Sequence, residues 1–359
     1  MKQTMLLKLL PTTGQHQSLL ETIHAFNEAA NYVAGIAFAE KTANKFALQK
    51  LVYGELRTTY KLPSQLAIRA ISKAREAYKR DKSIQPHFKP EGAIVYDQRV
   101  MAFKGIDTVS LLTLSGRVLV PFLVGSYQQA RRERIKGQAD LLYRKGQFYL
   151  AVTLDVPQSA LTTPDGTLGV DLGIVNLATD SEGETFSGEL VERNRKRHHA
   201  LRQRLQKRGT KSAKRHLKKL SGKEARFKKN TNHVISKRIV AKTKTTGQGI
   251  AIEELRHIRK RTESTVKHSQ RSRHSSWAFG QLRFFLQYKA ALAGVPLRLV
   301  DPRNTSRRCS ACGHCAKENR KSQASFCCVQ CGHTDNADRN AALNISRALV
   351  NVPIAAGRA

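Results

Sequence analysis

Acidic side chains are scarce in this chain: 27 Asp and Glu stand against 63 Lys and Arg, a formal net charge of +36 over 359 residues. A folded monomer with that imbalance repels itself strongly unless a polyanion neutralises it, so nucleic acid is the expected partner. Charge alone leaves a ribosome-associated protein or a membrane-surface binder open. Long apolar runs are also missing. No stretch reaches the roughly 18 apolar residues of a membrane span, and the most apolar segment, residues 109–124, carries Arg117. The first ten residues are too short for a secretory signal and are broken by Lys2 and Lys8. We therefore expect a soluble, intracellular protein with no membrane partner. Cysteine is absent before Cys309, and all six cysteines fall between Cys309 and Cys331. That placement argues against a disulfide framework and for one local metal site in a reducing compartment. There is no internal repeat.

The length fits two or more domains, each able to bury a core. Residues 1–10 read as a strand closed by Pro11. A helix is expected from Ser18, with Ser18 and Glu21 as a capping box and Leu19, Ile23, Phe26, Ala30, Val33 and Ala37 on one face. A second is expected after Pro63, capped by Ser64 and lined by Leu66, Ala70, Ala74 and Ala77. From Gly92 the period becomes two: hairpins are expected through Ser115-Gly116 and through Lys145-Gly146, the latter with Phe148, Leu150, Val152 and Leu154 on alternate positions. Together with the N-terminal strand they make a small antiparallel sheet or barrel, into which the helices are inserted.

Residues 162–166, Thr-Thr-Pro-Asp-Gly, mark a boundary. A strand ending at Asp171 follows, then a hairpin through residues 180–183. Residues 193–229 hold 17 Lys and Arg and one acidic residue. Like charges that dense oppose helix formation, but Leu201, Leu205, Leu217 and Leu220 keep an apolar seam, which predicts two helices folding back at Gly209 rather than a disordered basic tail. Residues 277–293 predict another amphipathic helix, with Trp277 as a core anchor, and residues 295–300 a short strand.

Cys309-x2-Cys312, fifteen residues, then Cys328-x2-Cys331 is the spacing of a four-thiolate Zn²⁺ ribbon. Gly313 and Gly332 stand where each knuckle must turn. Four thiolates close the coordination shell, so the zinc is structural and His314 and His333 have no vacancy to fill. Cys315 and Cys327 are spectators, and Cys327 is the rival of Cys328 at a less suitable spacing.

Three acidic residues complete the inventory. Asp171 ends Gly169-Val-Asp171-Leu-Gly173, Glu253 ends Ile250-Ala-Ile-Glu253, and Asp338 precedes an Asn-Ala-Ala-Leu-Asn-Ile helix pattern. Each alone is a weak signal: an Asp after a strand is commonly a turn residue, Glu254 rivals Glu253, and Asp335 rivals Asp338 and could cap the helix. Jointly they suit two Mg²⁺ ions, which need hard oxygen ligands on a rigid frame to activate water and stabilise a departing oxygen.

Those motifs, with Ile250-Ala-Ile-Glu253-Glu-Leu255, the ribbon in Thr305-Ser-Arg-Arg-Cys309-Ser-Ala-Cys312-Gly, and Asp338-Arg-Asn-Ala-Ala342, resemble the ordered RuvC motifs of the TnpB family. That family comprises RNA-guided endonucleases of IS200/IS605-type transposons, related to the Cas12 effectors. The resemblance is specific over residues 168–345 and looser before, where Leu62-Pro-Ser-Gln-Leu66 is similar to the recognition part. It implies an α+β multidomain fold: a wedge β-barrel with a helical recognition insertion, followed by a RuvC/ribonuclease H-like α/β nuclease domain with an inserted zinc ribbon. Residues 1–14 and 85–160 would form the wedge, 15–84 the insertion, 165–304 and 334–350 the nuclease domain, 305–333 the ribbon and 351–359 a C-terminal tail.

It further implies that Asp171, Glu253 and Asp338 are catalytic ligands of Mg²⁺, for which Mn²⁺ substitutes, and that Cys309, Cys312, Cys328 and Cys331 hold Zn²⁺. The implied partners are a guide RNA derived from the transposon end and a double-stranded DNA target with a short flanking motif, in a prokaryotic, nucleoid-associated cytoplasmic setting. Glu254 stands where Asp is commoner in the family, and Cys315 and Cys327 are not part of its usual ribbon. Other readings are a guide-independent RuvC-like transposase or resolvase, and a catalytically silent RNA-guided DNA-binding regulator. Residues 169–176 also resemble the phosphate loop of actin/Hsp70-type ATPases, but no glycine-rich adenosine-binding sequence follows.

Overall fold

Burial of Met5, Leu7 and Leu9 against exposure of Thr4, Leu6 and Leu10 is the period-two pattern of a strand with one covered face, and it builds β1 (Lys2–Lys8). The computed structural model describes residues 1–255 and 278–348, which divide into two units, Met1–Pro157 and Gln158–Ala359. In the first, α1 (Thr13–Ala39) starts earlier than the expected Ser18. The capping box is Thr12 with Gln15: the Thr12 hydroxyl accepts from Gln15 N and the Gln15 side chain from Thr12 N. Ser18 instead lies inside the helix and donates to Thr113 Oγ1 at 2.9 Å. The first turn is polar, so apolar periodicity could not reveal it.

A helix absent from the sequence reading, α2 (Lys45–Thr58), is capped by Asn44 and buries Leu48, Val52 and Leu56, while exposed Phe46 and Leu51 blur its face. In α3 (Ser64–Arg80) the cap position is Pro63 and Ser64 is the first helical residue, with no side-chain cap. The helices sit between β1 and β2 (Ile94–Tyr96) in sequence. After β3 (Met101–Lys104), β4 (Thr108–Thr113), β5 (Gly116–Pro121), a short α4 (Ser126–Gln129), β6 (Ile135–Arg144) and β7 (Gln147–Asp155), the unit has two antiparallel sheets. Their orders are β1-β7-β6-β2 and β3-β4-β5, joined at a single Leu9–Phe122 bridge. Both expected hairpins are present, and Lys145 and Gly146 turn with φ of 54° and 76°.

The second unit is built on β8 (Thr167–Asp171), β9 (Asn176–Asp180), β10 (Thr185–Ser187), β11 (Gly249–Glu253) and β12 (Leu297–Val300), in the order β10-β9-β8-β11-β12. β8, β11 and β12 run parallel; β9 and β10 are antiparallel. Between strands the chain forms α5 (Glu189–Arg208), α6 (Lys211–Thr245) and α7 (Phe279–Ala293), and the last described elements are β13 (Ser325–Cys327), β14 (Thr334–Asn336) and α8 (Ala337–Arg347). Leu168, Val170, Ile250 and Ile252 meet Ile235, Ile239 and Val240 of α6 and Leu282, Leu286 and Ala290 of α7. Ala251 and Val300 face Ile345 of α8 on the other side. A strand covered on both faces explains why β11 reads as a continuous apolar run. Trp277, expected to open α7, lies outside the described residues, as does the tail.

The basic segment is the expected helical hairpin. Gly209, at φ 64°, ends α5 and Thr210 caps α6. Leu205, Ala213 and Leu220, with Leu201 and Leu217 beside them, form a seam separate from the main core. α6 has 35 residues, about 52 Å of helix at 1.5 Å per residue. Its second half, through Asn232, Ile235, Ile239 and Val240, joins the main core, and its first half pairs with α5 as an arm. Among the described residues no helix is long and apolar enough to cross a membrane.

Gly169 decides how α8 meets the sheet. A Cβ there would lie 2.0 Å from Ala342 O and 2.5 Å from Ser346 N, both backbone atoms that cannot step aside. Gly169→Ala is expected to lower the stability of this unit by on the order of 1–3 kcal/mol or more, read as an earlier thermal or urea midpoint, with Gly105→Ala, at an open position, as the comparison for a merely strained turn.

Candidate functional site

Parallel pairing sets two of the acids side by side. Ile252 is in register with Val170, so the next residues, Glu253 and Asp171, end neighbouring strands at their carboxyl edge, the end of an open α/β sheet where ligands ordinarily bind. Asp338 comes from the first turn of α8, which lies against β8 through Gly169. The helix cap is Asn336, whose Oδ1 accepts from Asp338 N and Arg339 N. Asp335, the expected alternative for that role, pairs with Arg339 at 3.2 Å instead.

The site gathers carboxylates in a largely buried setting. Glu253 and Asp338 are 7% and 5% exposed. Burial, then the nearby Glu253 and Asp338 carboxylates, push the Asp171 carboxyl up to about 8. Burial also raises Glu253, against the hydrogen bond from Thr305 and the charge of Arg320. Arg320, from the ribbon, reaches Asp338 Oδ1 at 3.2 Å, and its charge lowers both Asp171 and Glu253.

Sequence reading passed over several of these partners. Asn176 Nδ2 donates to Asp338 Oδ2 at 2.9 Å, Thr305 Oγ1 donates to Glu253 Oε1 at 2.5 Å, and Asp301, one residue past β12, adds its charge near Glu253. Asn176 and Thr305 both lie within quoted motif segments, but no spacing rule announces a contact made across the fold. Glu254, the rival of Glu253, engages Val300 O through its backbone N–H.

The four cysteines predicted to bind zinc converge. Their sulfurs all lie within 4.8 Å of one another, with Cys309–Cys331 at 3.7 Å and Cys312–Cys328 at 3.6 Å. A tetrahedral ion with Zn–S of 2.3 Å requires about 3.8 Å between sulfurs, and a disulfide about 2 Å, so the spacing fits a four-thiolate metal site and not disulfides. The two knuckles repeat each other: Gly313 N and Gly332 N donate to Cys309 O and Cys328 O at 3.0 Å, and Cys309 N and Cys328 N donate to His314 O and His333 O. Gly313 and Gly332 have φ of 79° and 72°, the left-handed turn expected at those positions. Cys315 and Cys327 stand outside the cluster.

The arm carries the third feature. Of the 17 basic residues in 193–229, Arg195 pairs with Glu192, and Arg202 and Lys228 pair with Glu224, at 2.5–2.8 Å. Most of the others, Lys207, Arg208, Lys211, Lys214 and Arg215 among them, are exposed.

Comparison with known proteins adds a lineage. A family model described as "Probable transposase" matches residues 149–271, and one described as "Cas12f1-like, TNB domain" matches residues 279–345. The chain is 30% identical over 268 residues to the CRISPR-associated endodeoxyribonuclease Cas12f1 of Sulfoacidibacillus thermotolerans, covering 69% of this chain and 60% of that protein. It is 26% identical over 304 residues to InsQ of Escherichia coli K12, a candidate RNA-guided DNA endonuclease, covering 79% and 73%. To the TnpB-like protein MJ0751 of Methanocaldococcus jannaschii it is 31% identical over 129 residues, covering 36% and 45%. A cryo-EM structure of a Cas12f1–sgRNA–target DNA complex aligns over 97% of this chain and 99% of its own at 19% identity, with a TM-score of 0.43, too low to establish a shared fold. The transposase and Cas12f1-like models match in sequence along the second half of the chain, which is similar to relatives of both the TnpB and the Cas12f kind.

Proposed function

We propose that this chain is an RNA-guided DNA endonuclease. Asp171, Glu253 and Asp338 form its cutting centre, with Mg²⁺ or Mn²⁺ in a two-metal arrangement. Its guide is an RNA derived from a transposon end, and its substrate is double-stranded DNA bearing a short flanking motif. The observation that carries the reading is the meeting of three acids at one sheet edge in a chain otherwise dominated by positive charge. The names of the Cas12f1 and InsQ relatives support the same activity.

The donor set fits hard divalent cations: carboxylate oxygens, from two strand ends and a helix start, with Arg320 paired to Asp338. Bound there, such ions polarise a phosphodiester and lower the pKa of water. The protein's own share is to hold the carboxylates on rigid elements, keep Glu253 and Asp338 from bulk solvent, and bring Arg320 to the same edge from the ribbon. The ribbon's Zn²⁺, held by Cys309, Cys312, Cys328 and Cys331, is structural, and the exposed cations of the arm lie along nucleic-acid phosphates.

Changing Asp171, Glu253 or Asp338 singly to Ala is expected to reduce target cleavage by several orders of magnitude with guide-RNA binding retained, scored by gel assays in Mg²⁺ with cognate and scrambled guides. Wild-type cutting by Glu253→Ala would redirect the assignment to Glu254, and equal cutting without guide would favour a guide-independent nuclease. Elemental analysis is expected to find one zinc per chain, absent from Cys309→Ser and Cys331→Ser with local unfolding of the ribbon and kept in Cys315→Ser and Cys327→Ser. Replacing Lys207, Arg208, Lys211, Lys214 and Arg215 together by Gln is expected to flatten the log–log salt dependence of nucleic-acid binding by roughly 0.7–0.9 for each phosphate no longer neutralised; an unchanged slope would mean the arm stands clear of the polyanion.

A further inference from the structure

Two neutral donors reach the acidic centre from different elements. Thr305 is 7% exposed and gives its hydroxyl proton to Glu253 Oε1 at 2.5 Å. Its own carbonyl is held at 2.9 Å by Asn344 Nδ2. Asn344 belongs to α8, the helix that carries Asp338, and also grips Arg308 O at 2.7 Å. Asn340, fully buried on the same helix, accepts from Ser310 N and donates to Arg308 O, both at 2.9 Å. Thr305 is thus tied through its side chain and through its backbone to pieces of the centre.

Asn176 is fixed differently. It opens β9 after a loop that is tight at Gly173, where a Cβ would lie 2.6 Å from Asn176 O, and that is backed by Gly188, where a Cβ would lie 2.6 Å from Val175 O. Gly188 N also donates to Val175 O at 2.7 Å. From that position Asn176 Nδ2 takes Asp338 Oδ2, while Oδ1 of the same carboxylate faces Arg320.

We infer that Thr305 and Asn176 are positioning residues for the divalent-cation site, each fixing one carboxylate by a hydrogen bond to one oxygen while adding no positive charge. The inference rests on reading these carboxylates as cation ligands. Neutrality matters here. A lysine or arginine in either place would orient the carboxylate equally well but would compete with the ion for its charge, whereas a hydroxyl and an amide orient it and leave the charge available. Groups that orient ligands in this way commonly govern affinity by about 10–100-fold.

The test is Mn²⁺ binding to the purified, zinc-loaded chain at fixed pH, followed by the paramagnetic resonance of free Mn²⁺, alongside Mg²⁺ dependence of cleavage. Thr305→Val keeps the shape and removes the donor, Thr305→Ser restores it, and Asn176→Leu removes the amide. Weakening of Mn²⁺ binding by about 10–100-fold in Thr305→Val and Asn176→Leu, with recovery in Thr305→Ser and unchanged thermal midpoints without Mn²⁺, supports the roles. Unchanged affinity in both variants while Glu253→Gln loses Mn²⁺ overturns them and leaves the cation site standing. Unchanged affinity in Glu253→Gln as well overturns the cation reading itself. Where Thr305→Val does not fold, Asn176→Leu decides by the same criteria.

Discussion

The backbone of α8 rests on β8 at Gly169, and the arrangement of the candidate centre depends on that approach. No side chain larger than hydrogen fits between them. Because the helix lies this close, its first turn delivers Asp338 beside the end of β8, and its later turns deliver Asn340 and Asn344 to the segment entering the ribbon. Thr305 in that segment then reaches back to Glu253. One steric allowance thus connects two strand ends, a helix and the four-cysteine lobe. It also accounts for Gly169 and Gly173 without a bound phosphate: the first admits a helix and the second a tight loop.

Electrostatics divides the chain into a large excess and a small deficit. Most basic side chains of the arm are exposed and, among the described residues, unpaired with carboxylates, while the three acids lie in a confined setting where burial and mutual repulsion raise Asp171. Glu192 and Glu224 of the arm are engaged within it, on Arg195, Arg202 and Lys228. That internal pairing leaves nearly the whole outer charge of the arm for a partner, and the low dielectric at the sheet edge makes an uncompensated carboxylate there costly.

Much of this was legible in the sequence where a local rule applied. Hairpins showed through alternation broken by Ser115-Gly116 and Lys145-Gly146; the four-cysteine cluster showed through cysteine spacing and the glycines after each knuckle; the arm showed through leucines persisting in a basic run. Local rules failed where two patterns competed or none existed. Thr12-x-x-Gln15 and Ser18-x-x-Glu21 both match a capping box, and only the first begins a helix. Asn336 outcompeted Asp335 as a cap because its side chain reaches two backbone N–H groups, while Asp335 is drawn to Arg339. α2 escaped because Phe46 and Leu51 are apolar yet exposed. Asn176 and Thr305 act across 162 and 52 residues, separations at which a single sequence holds no periodic signal.

The seam of Leu201, Leu205, Ala213, Leu217 and Leu220 does not merge with the main core. An arm with its own seam can change length without renegotiating anything below it. Roughly seven residues added to each of its helices would move the tip outward by about 10 Å while restoring nearly the same facing, so the fold carries a modular dimension beside a centre that tolerates no such freedom.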